Sequence, residues 1–136
     1  MTRTLCLDFG NTRQKAALFA NGEIENLFTL RDDVQAHLQE IIAQYKPQYS
    51  ILSSVIHHQK EIETFLAQHT KFHLLSSTLH LPFTIPVGKP ETVGADRLAI
   101  AAAAVHLFPG QNVLVIALGS CVTYNFINQQ SQLIGG

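Results

Sequence analysis

The sequence has 136 residues, a length that suits one domain of ordinary size. Hydrophobic residues make up 46% and charged residues 14% of the chain, with a mean hydropathy of +0.13, which excludes a disordered tail and a coiled coil. The formal net charge of -1 excludes the basic excess that steers proteins to nucleic acids or anionic membranes, so we expect neither as a partner. No apolar run approaches the roughly 20 residues that span a bilayer, and a cytoplasmic protein is expected.

The N-terminal part of the chain is predicted to form a three-stranded antiparallel meander. Its β-like runs cover residues 4–8, 15–20 and 23–30. Asn21 and Gly22 tolerate the positive φ angles of a two-residue type I′ turn, so they are expected to connect the second and third strands.

The rest of the chain is predicted to mix helices with strands. Apolar residues at i, i+4, i+7 and i+8 predict an amphipathic helix over residues 33–45, which Pro47 ends. Further helices are expected around residues 62–69 and 97–108, and strands at 49–56, 72–75, 112–118 and 122–127. No linker divides this pattern, which indicates a single α/β domain.

Residues 76–90 carry three prolines, which exclude a continuous helix there. We expect an ordered loop or edge segment that forms one wall of a ligand site.

Sulfur and imidazole side chains show no spacing typical of a metal site. Cys6 and Cys121 lie in apolar, strand-like segments and are predicted to be core residues. The seven histidines are interpreted as surface or partly buried polar residues, because only His57 and His58 are adjacent.

The segment from Asp8 to Lys15 combines a strand end, a tight turn and a basic residue, which is suited to phosphate binding. Gly10 lets the backbone approach an anion closely, Asn11 and Thr12 offer donors, and Lys15 adds positive charge. Asp8 is suited to hold Mg²⁺ directly or through water, because this ion prefers oxygen ligands and keeps its own waters. The alternative interpretation is an ordinary hairpin turn made of the usual turn residues.

A second glycine corner follows an apolar strand at Gly119 and Ser120, and it runs into another strand. Two such corners, near residues 10 and 119, are expected to grip one polyphosphate, whereas a plain hairpin is again the alternative.

A third candidate segment is Gly94-Ala95-Asp96-Arg97, at the start of the Ala-rich helix. An acid and a fixed cation at a helix N-terminus suit an anionic ligand. The alternative is that Asp96 caps the first turn and Arg97 forms a surface ion pair.

Taken in this order and spacing, the three segments resemble the type III pantothenate kinases, members of the acetate and sugar kinase, heat-shock cognate and actin superfamily. The family's Asp-x-Gly-Asn-Thr-x-x-Lys segment, which binds ATP phosphates, is matched by Asp8, Gly10, Asn11, Thr12 and Lys15. Its Gly-x-Asp-Arg segment, which contacts pantothenate, is matched by Gly94, Asp96 and Arg97, with Ala95 between them. Ser53-Ser54-Val55 is similar to a Ser-Val stretch before the family's second helix.

The resemblance implies an actin-like (ribonuclease H-like) α/β fold with a mixed sheet, an N-terminal antiparallel meander and flanking helices. It also implies an N-terminal actin-like domain over residues 1–117 and the beginning of a second half over residues 118–136, most of which is absent.

Two positions depart from the family pattern. Ala117 stands where relatives usually carry the aspartate that holds a monovalent cation, K⁺ or NH₄⁺, so the resemblance implies an ion for which this chain lacks the carboxylate. Val87 replaces a tyrosine that is common in the pantothenate wall, whereas Ser120 keeps the hydroxyl of the second phosphate segment.

The activity that the resemblance implies is transfer of the γ-phosphoryl group of ATP, with Mg²⁺, to pantothenate in a homodimer. Asp96 would be the base, Arg97 would orient the acceptor through its carboxylate, and Gly119 and Ser120 would contact ATP. Two alternatives stay open: a truncated, non-catalytic domain that binds a partner or binds nucleotide weakly, and another phosphotransferase of the superfamily, for example one acting on a sugar.

Overall fold

A computed structural model describes residues 1–135 of the chain. The backbone forms two compact units, Met1–Leu74 and Leu75–Gly136. This differs from the single unit expected from length, and the reason is that each unit builds a hydrophobic core of its own. The division of the family into an N-terminal domain over 1–117 and a second half from residue 118 stays a prediction.

The first unit is a five-stranded sheet with two helices. Its elements are β1 (Arg3–Phe9), β2 (Gln14–Ala20), β3 (Glu23–Thr29), α1 (Val34–Tyr45), β4 (Tyr49–Ser54), α2 (Lys60–His69) and β5 (Lys71–Leu74). The strand order is β3-β2-β1-β4-β5, with β1 to β3 antiparallel and β4 and β5 parallel to β1. Leu5, Leu7 and Phe9 alternate into a core that includes Leu38, Leu52 and Leu66.

Local signals set the boundaries of these elements. Asn21 and Gly22 adopt φ angles of 53° and 84°, as the predicted β2–β3 turn requires. Asp33 caps α1 by accepting a hydrogen bond from the Ala36 N–H at 3.1 Å, and Lys46 ends the helix in the left-handed conformation just before Pro47.

The second unit packs one helix on a three-stranded antiparallel sheet. A 3₁₀ turn (Pro90–Thr92) precedes α3 (Ala95–Leu107), which is followed by β6 (Val113–Leu118), β7 (Val122–Ile127) and β8 (Leu133–Gly135). Its core contains Phe83, Leu98, Ala101, Ala104, Ile127 and Leu133. Within the proline-rich loop, Thr84 bridges to Gln132, so the predicted edge segment is confirmed.

The three-stranded sheet exposes apolar side chains on the face opposite its core. Leu118 and Tyr124 are 81% and 57% exposed, and Leu114, Ile116 and Val122 are also exposed. The core-facing side of β7 instead carries Thr123, Asn125 and Ile127, of which Asn125 is 0% exposed. Burial in β7 therefore does not follow hydrophobicity.

The predicted α/β class is confirmed, with its mixed sheet, N-terminal antiparallel meander and flanking helices. The actin-like assignment stays what the family resemblance implies. The prediction for Cys121 is wrong: the residue is exposed in the bend between β6 and β7, because the chain turns at Gly119 rather than continuing a strand. Cys6 lies in β1 and is partly buried, and its burial raises the pKa of the thiol. None of the helices in the described part of the chain has both the length and the apolar character needed to cross a membrane.

Candidate functional site

The hairpin between β1 and β2 brings the first predicted motif together. Gly10 N–H donates to the Arg13 carbonyl at 3.0 Å and closes a turn in which Asn11 and Thr12 are exposed. Asp8 and Lys15 are directly opposite each other in the antiparallel ladder, and both are exposed. The predicted phosphate residues thus share one exposed corner, where a carboxylate, a lysine and turn donors lie within a few residues.

The end of β4 adds a polar residue beside this corner. Ser53 is the parallel partner of Asp8 in the β1–β4 register, so the two side chains are on the same face of the sheet. The Ser53 hydroxyl is buried and has no hydrogen-bond partner within residues 1–135. A buried hydroxyl without a partner is costly, and it suggests a donor reserved for a ligand.

The second predicted corner joins β6 to β7 in the second unit. Gly119 N–H donates to the Cys121 carbonyl at 3.1 Å, and both Gly119 and Ser120 are exposed. A methyl group built on Gly119 would make ordinary contact with that carbonyl at 3.7 Å, so the glycine is not required by space. The corner is a hairpin, as predicted, and it presents a hydroxyl to solvent.

The third segment begins α3. Gly94 is the N-cap residue and provides no side-chain cap, so the first N–H groups depend on other acceptors. Asp96 Oδ1 accepts from the Arg97 N–H at 2.9 Å. Asp96 therefore places a carboxylate in the first turn but does not cap the helix, whose N-cap residue is Gly94. Its second carboxylate oxygen makes no hydrogen bond with any residue that the structure describes.

Arg97 makes a different contact from the surface ion pair that was weighed for it. Its Nε donates to Asn125 Oδ1 at 2.7 Å, and Asn125 Nδ2 donates to Thr123 Oγ1 at 3.3 Å. The guanidinium is therefore tied to the buried side of β7 by a neutral amide.

A cleft of about 230 Å³ in the second unit is lined by Arg97 and by the proline-rich segment. Val87, Gly88 and Lys89 form part of its wall. That this segment forms one wall of a ligand site stays a prediction. Two of the described lining residues, Lys89 and Arg97, are cations and none is acidic, so the cleft favours an anion.

The structure places the predicted site residues in three separate groups. Asp8, Gly10, Asn11, Thr12 and Lys15 share the first hairpin, whereas Gly119 and Ser120 form the second. Of the third segment, Arg97 lines the cleft, while Gly94, Ala95 and Asp96 are outside the set of residues that line it.

Sequence reasoning missed the buried, unpartnered hydroxyl of Ser53, Lys89 as a second cation in the cleft and Asn125 as the partner of Arg97. Of these three residues, only Ser53 belongs to a segment that the sequence pattern singled out, the Ser-Val stretch.

The described residues fit one of the two implied metal ions. No three His, Cys, Asp or Glu side chains within residues 1–135 are placed to hold a metal. Mg²⁺ at a nucleotide needs just one or two carboxylates, because phosphate oxygens and water complete its shell, so the exposed Asp8 fits. Ala117 offers no oxygen from its side chain, so that position does not fit K⁺ or NH₄⁺, and no step is assigned to such an ion.

Comparisons with known proteins agree on one family. The sequence profile of the type III pantothenate kinases matches residues 4–136. The chain is 34% identical over 134 residues to the type III pantothenate kinase of Christiangramia forsetii, and 36% identical over 134 residues to that of Phocaeicola vulgatus. Both alignments cover 97% of this chain and 55% of the relative, so the chain spans about half the length of these proteins.

A solved structure supports the fold alone. A Campylobacter jejuni protein assigned to the Baf family of transcriptional activators superposes with a TM-score of 0.53 at 23% identity, over 97% of this chain and 52% of that one. Because the profile match covers nearly the whole sequence, the chain belongs to the type III pantothenate kinase family.

Proposed function

We propose that this chain supplies the ATP-binding and acceptor-binding residues of a pantothenate kinase. The reaction moves the γ-phosphoryl group of ATP to the primary hydroxyl of pantothenate and gives 4′-phosphopantothenate, the first step of coenzyme A biosynthesis. The observation that carries the proposal is the exposed β1–β2 corner, which holds all five residues of the phosphate motif.

On the nucleotide side, the chain's contribution is positioning and charge neutralisation. The transition state of phosphoryl transfer spreads charge over the phosphoryl oxygens, which favours preorganised donors. Lys15 would neutralise part of this charge. Gly119 and Ser120 would contact ATP, as the family resemblance implies. Asp8 would hold the Mg²⁺ that is bound with ATP, and this ion would supply further charge neutralisation.

On the acceptor side, Asp96 and Arg97 have separate roles. One Asp96 oxygen accepts from the Arg97 N–H, and the other would take the proton of the attacking hydroxyl. That hydroxyl oxygen forms the new P–O bond, the bond from the γ-phosphorus to the bridging oxygen breaks, and ADP leaves. Arg97 would bind the acceptor's carboxylate, because a guanidinium fork matches two carboxylate oxygens.

A coupled assay of ADP release with ATP, Mg²⁺ and pantothenate tests the proposal on the whole chain. We expect ADP release that depends on pantothenate, and a panel that includes sugars tests the alternative phosphotransferase. Nucleotide binding without turnover on any acceptor would contradict the kinase proposal. It would favour a non-catalytic domain, the candidate to which the missing carboxylate at Ala117 also points.

The base assignment is tested by Asp96→Asn. We expect turnover to fall about 10²-fold or more while nucleotide binding stays nearly intact, because the amide keeps the shape of the carboxylate and cannot accept the proton. Glu91→Gln, at an exposed acid in the preceding 3₁₀ turn, is the matched control and should leave both quantities unchanged. An equal loss of binding and turnover in Asp96→Asn would refute the assignment.

The proposed partners are pantothenate and ATP, with a homodimer in the cytoplasm, as the family resemblance implies. Sedimentation equilibrium of the chain measures the mass of the assembly, and a monomer at all concentrations would contradict the homodimer.

A further inference from the structure

Asn125 is a neutral side chain inside the core of the second unit, and both ends of its amide are engaged. It is fully buried in β7, where its Oδ1 accepts from Arg97 Nε and its Nδ2 donates to Thr123 Oγ1. A buried amide that lost these bonds would be destabilising, so its orientation is fixed by the partners on either side.

The contact with Asn125 sets the plane of the Arg97 guanidinium. This group is a rigid planar fork, so a bond at Nε leaves the two Nη groups as a pair at the far end. Within residues 1–135, no group accepts a hydrogen bond from either Nη of Arg97. Arg97 also lines the cleft that contains Lys89 and no described acidic residue.

We propose that Asn125 is the positioning residue that orients Arg97 toward the carboxylate of the acceptor, an inference that rests on the proposed function. Its chemistry is matched to this task, because an amide oxygen accepts the Nε–H without neutralising the guanidinium. An acidic side chain at residue 125 would hold the same atom but would also cancel the charge on which capture of an anion depends.

The test compares two variants of the whole chain. Asn125→Leu has a similar volume and removes the acceptor, whereas Asn125→Asp keeps the acceptor and adds a negative charge. Each ¹⁵N-labelled protein is titrated with pantothenate and with pantothenol, in which an alcohol replaces the carboxylate. The Arg97 Nε–H resonance, assigned by its loss in Arg97→Lys, reports the Arg97–Asn125 bond independently of any activity.

We expect a slowly exchanging Arg97 Nε–H signal in the wild type and in Asn125→Asp, and loss of its protection in Asn125→Leu. Pantothenate affinity should fall about tenfold or more in both variants, while pantothenol affinity should stay unchanged. Two results would overturn the inference: an unchanged Nε–H signal in Asn125→Leu, or an equal loss of pantothenate and pantothenol binding. If Asn125→Leu does not fold, unchanged pantothenate affinity in Asn125→Asp would overturn it as well.

The failure of the proposed function has a different signature. In that case the Nε–H signal would be protected in the wild type and lost in Asn125→Leu, but the wild type would not bind pantothenate. This result would refute pantothenate as the acceptor and would still support the coupling of Arg97 to Asn125.

Discussion

A buried pair of hydroxyls connects β4 to the end of α2, and it predicts which of two substitutions destabilises the chain more. Ser50 is 1% exposed, and its Oγ lies 2.6 Å from Thr70 Oγ1. Thr70 Oγ1 donates to the Leu66 carbonyl at 2.7 Å, which uses its only hydrogen. Ser50 must therefore be the donor in the bond between the two hydroxyls.

This assignment makes the two single substitutions unequal. Ser50→Ala removes the donor and leaves Thr70 still bonded to Leu66, so a loss of about 0.5–1.5 kcal/mol in unfolding free energy is expected. Thr70→Val leaves the Ser50 O–H buried without an acceptor and should cost about 1–3 kcal/mol. The Leu66 carbonyl keeps its bond from Thr70 N–H at 2.8 Å in that variant. The double variant should cost less than the sum of the single ones.

These unfolding free energies are measured by urea unfolding followed by NMR. Resonances of β4 and α2 are used because both elements belong to the first unit and report on its unfolding. Thr64→Val is the matched control: its hydroxyl also bonds a carbonyl four residues earlier, but it is exposed, so its effect should stay within about 0.5 kcal/mol. Equal costs for Ser50→Ala and Thr70→Val, or strictly additive costs in the double variant, would refute the assigned donor.

Three further predictions concern the β2–β3 turn and the cysteines. Gly22→Ala should destabilise the chain by roughly 1 kcal/mol, because Gly22 has a φ angle of +84° although no atom crowds the position. Gly22→Asn should cost less, since asparagine tolerates positive φ. Equal costs of the two variants in thermal unfolding would contradict a purely conformational effect. A thiol reagent should modify Cys121 well before Cys6, as measured by mass spectrometry, because Cys121 is exposed and burial raises the pKa of Cys6. Since the unfolded chain then releases the Cys6 proton first, stability should fall as pH rises above the ordinary thiol value of 9.0, and Cys6→Ala should remove this part of the pH dependence.

Local chemistry explains which parts of the fold were predictable from the sequence. The β2–β3 turn follows from Asn21 and Gly22, and the end of α1 follows from Pro47, because each depends on the conformational limits of the residues themselves. The corner at Gly10 and the start of α3 were likewise located by residue type. The parallel pairing of β1 with β4 depends on segments some 45 residues apart and carried no local signal.

The second unit shows where this reasoning stops. In β6 every residue is apolar, so no alternation marks the core-facing side, and Leu118 at 81% exposed could not be separated from its neighbours. Cys121 was assigned to the core because its neighbours are apolar, yet the bend at Gly119 exposes it. The contact of Asn125 with Arg97 also carried no local signal, because the two residues are 28 positions apart in the chain.

The buried amide also bears on which side of β7 faces the core. Val122, Tyr124 and Phe126 lie on one side, whereas Thr123, Asn125 and the buried Ile127 lie on the other, so hydrophobicity alone does not select the core-facing side. A flipped strand would expose the amide and deprive the Arg97 guanidinium of its acceptor. The contact between Arg97 and Asn125 therefore opposes inversion of the hairpin.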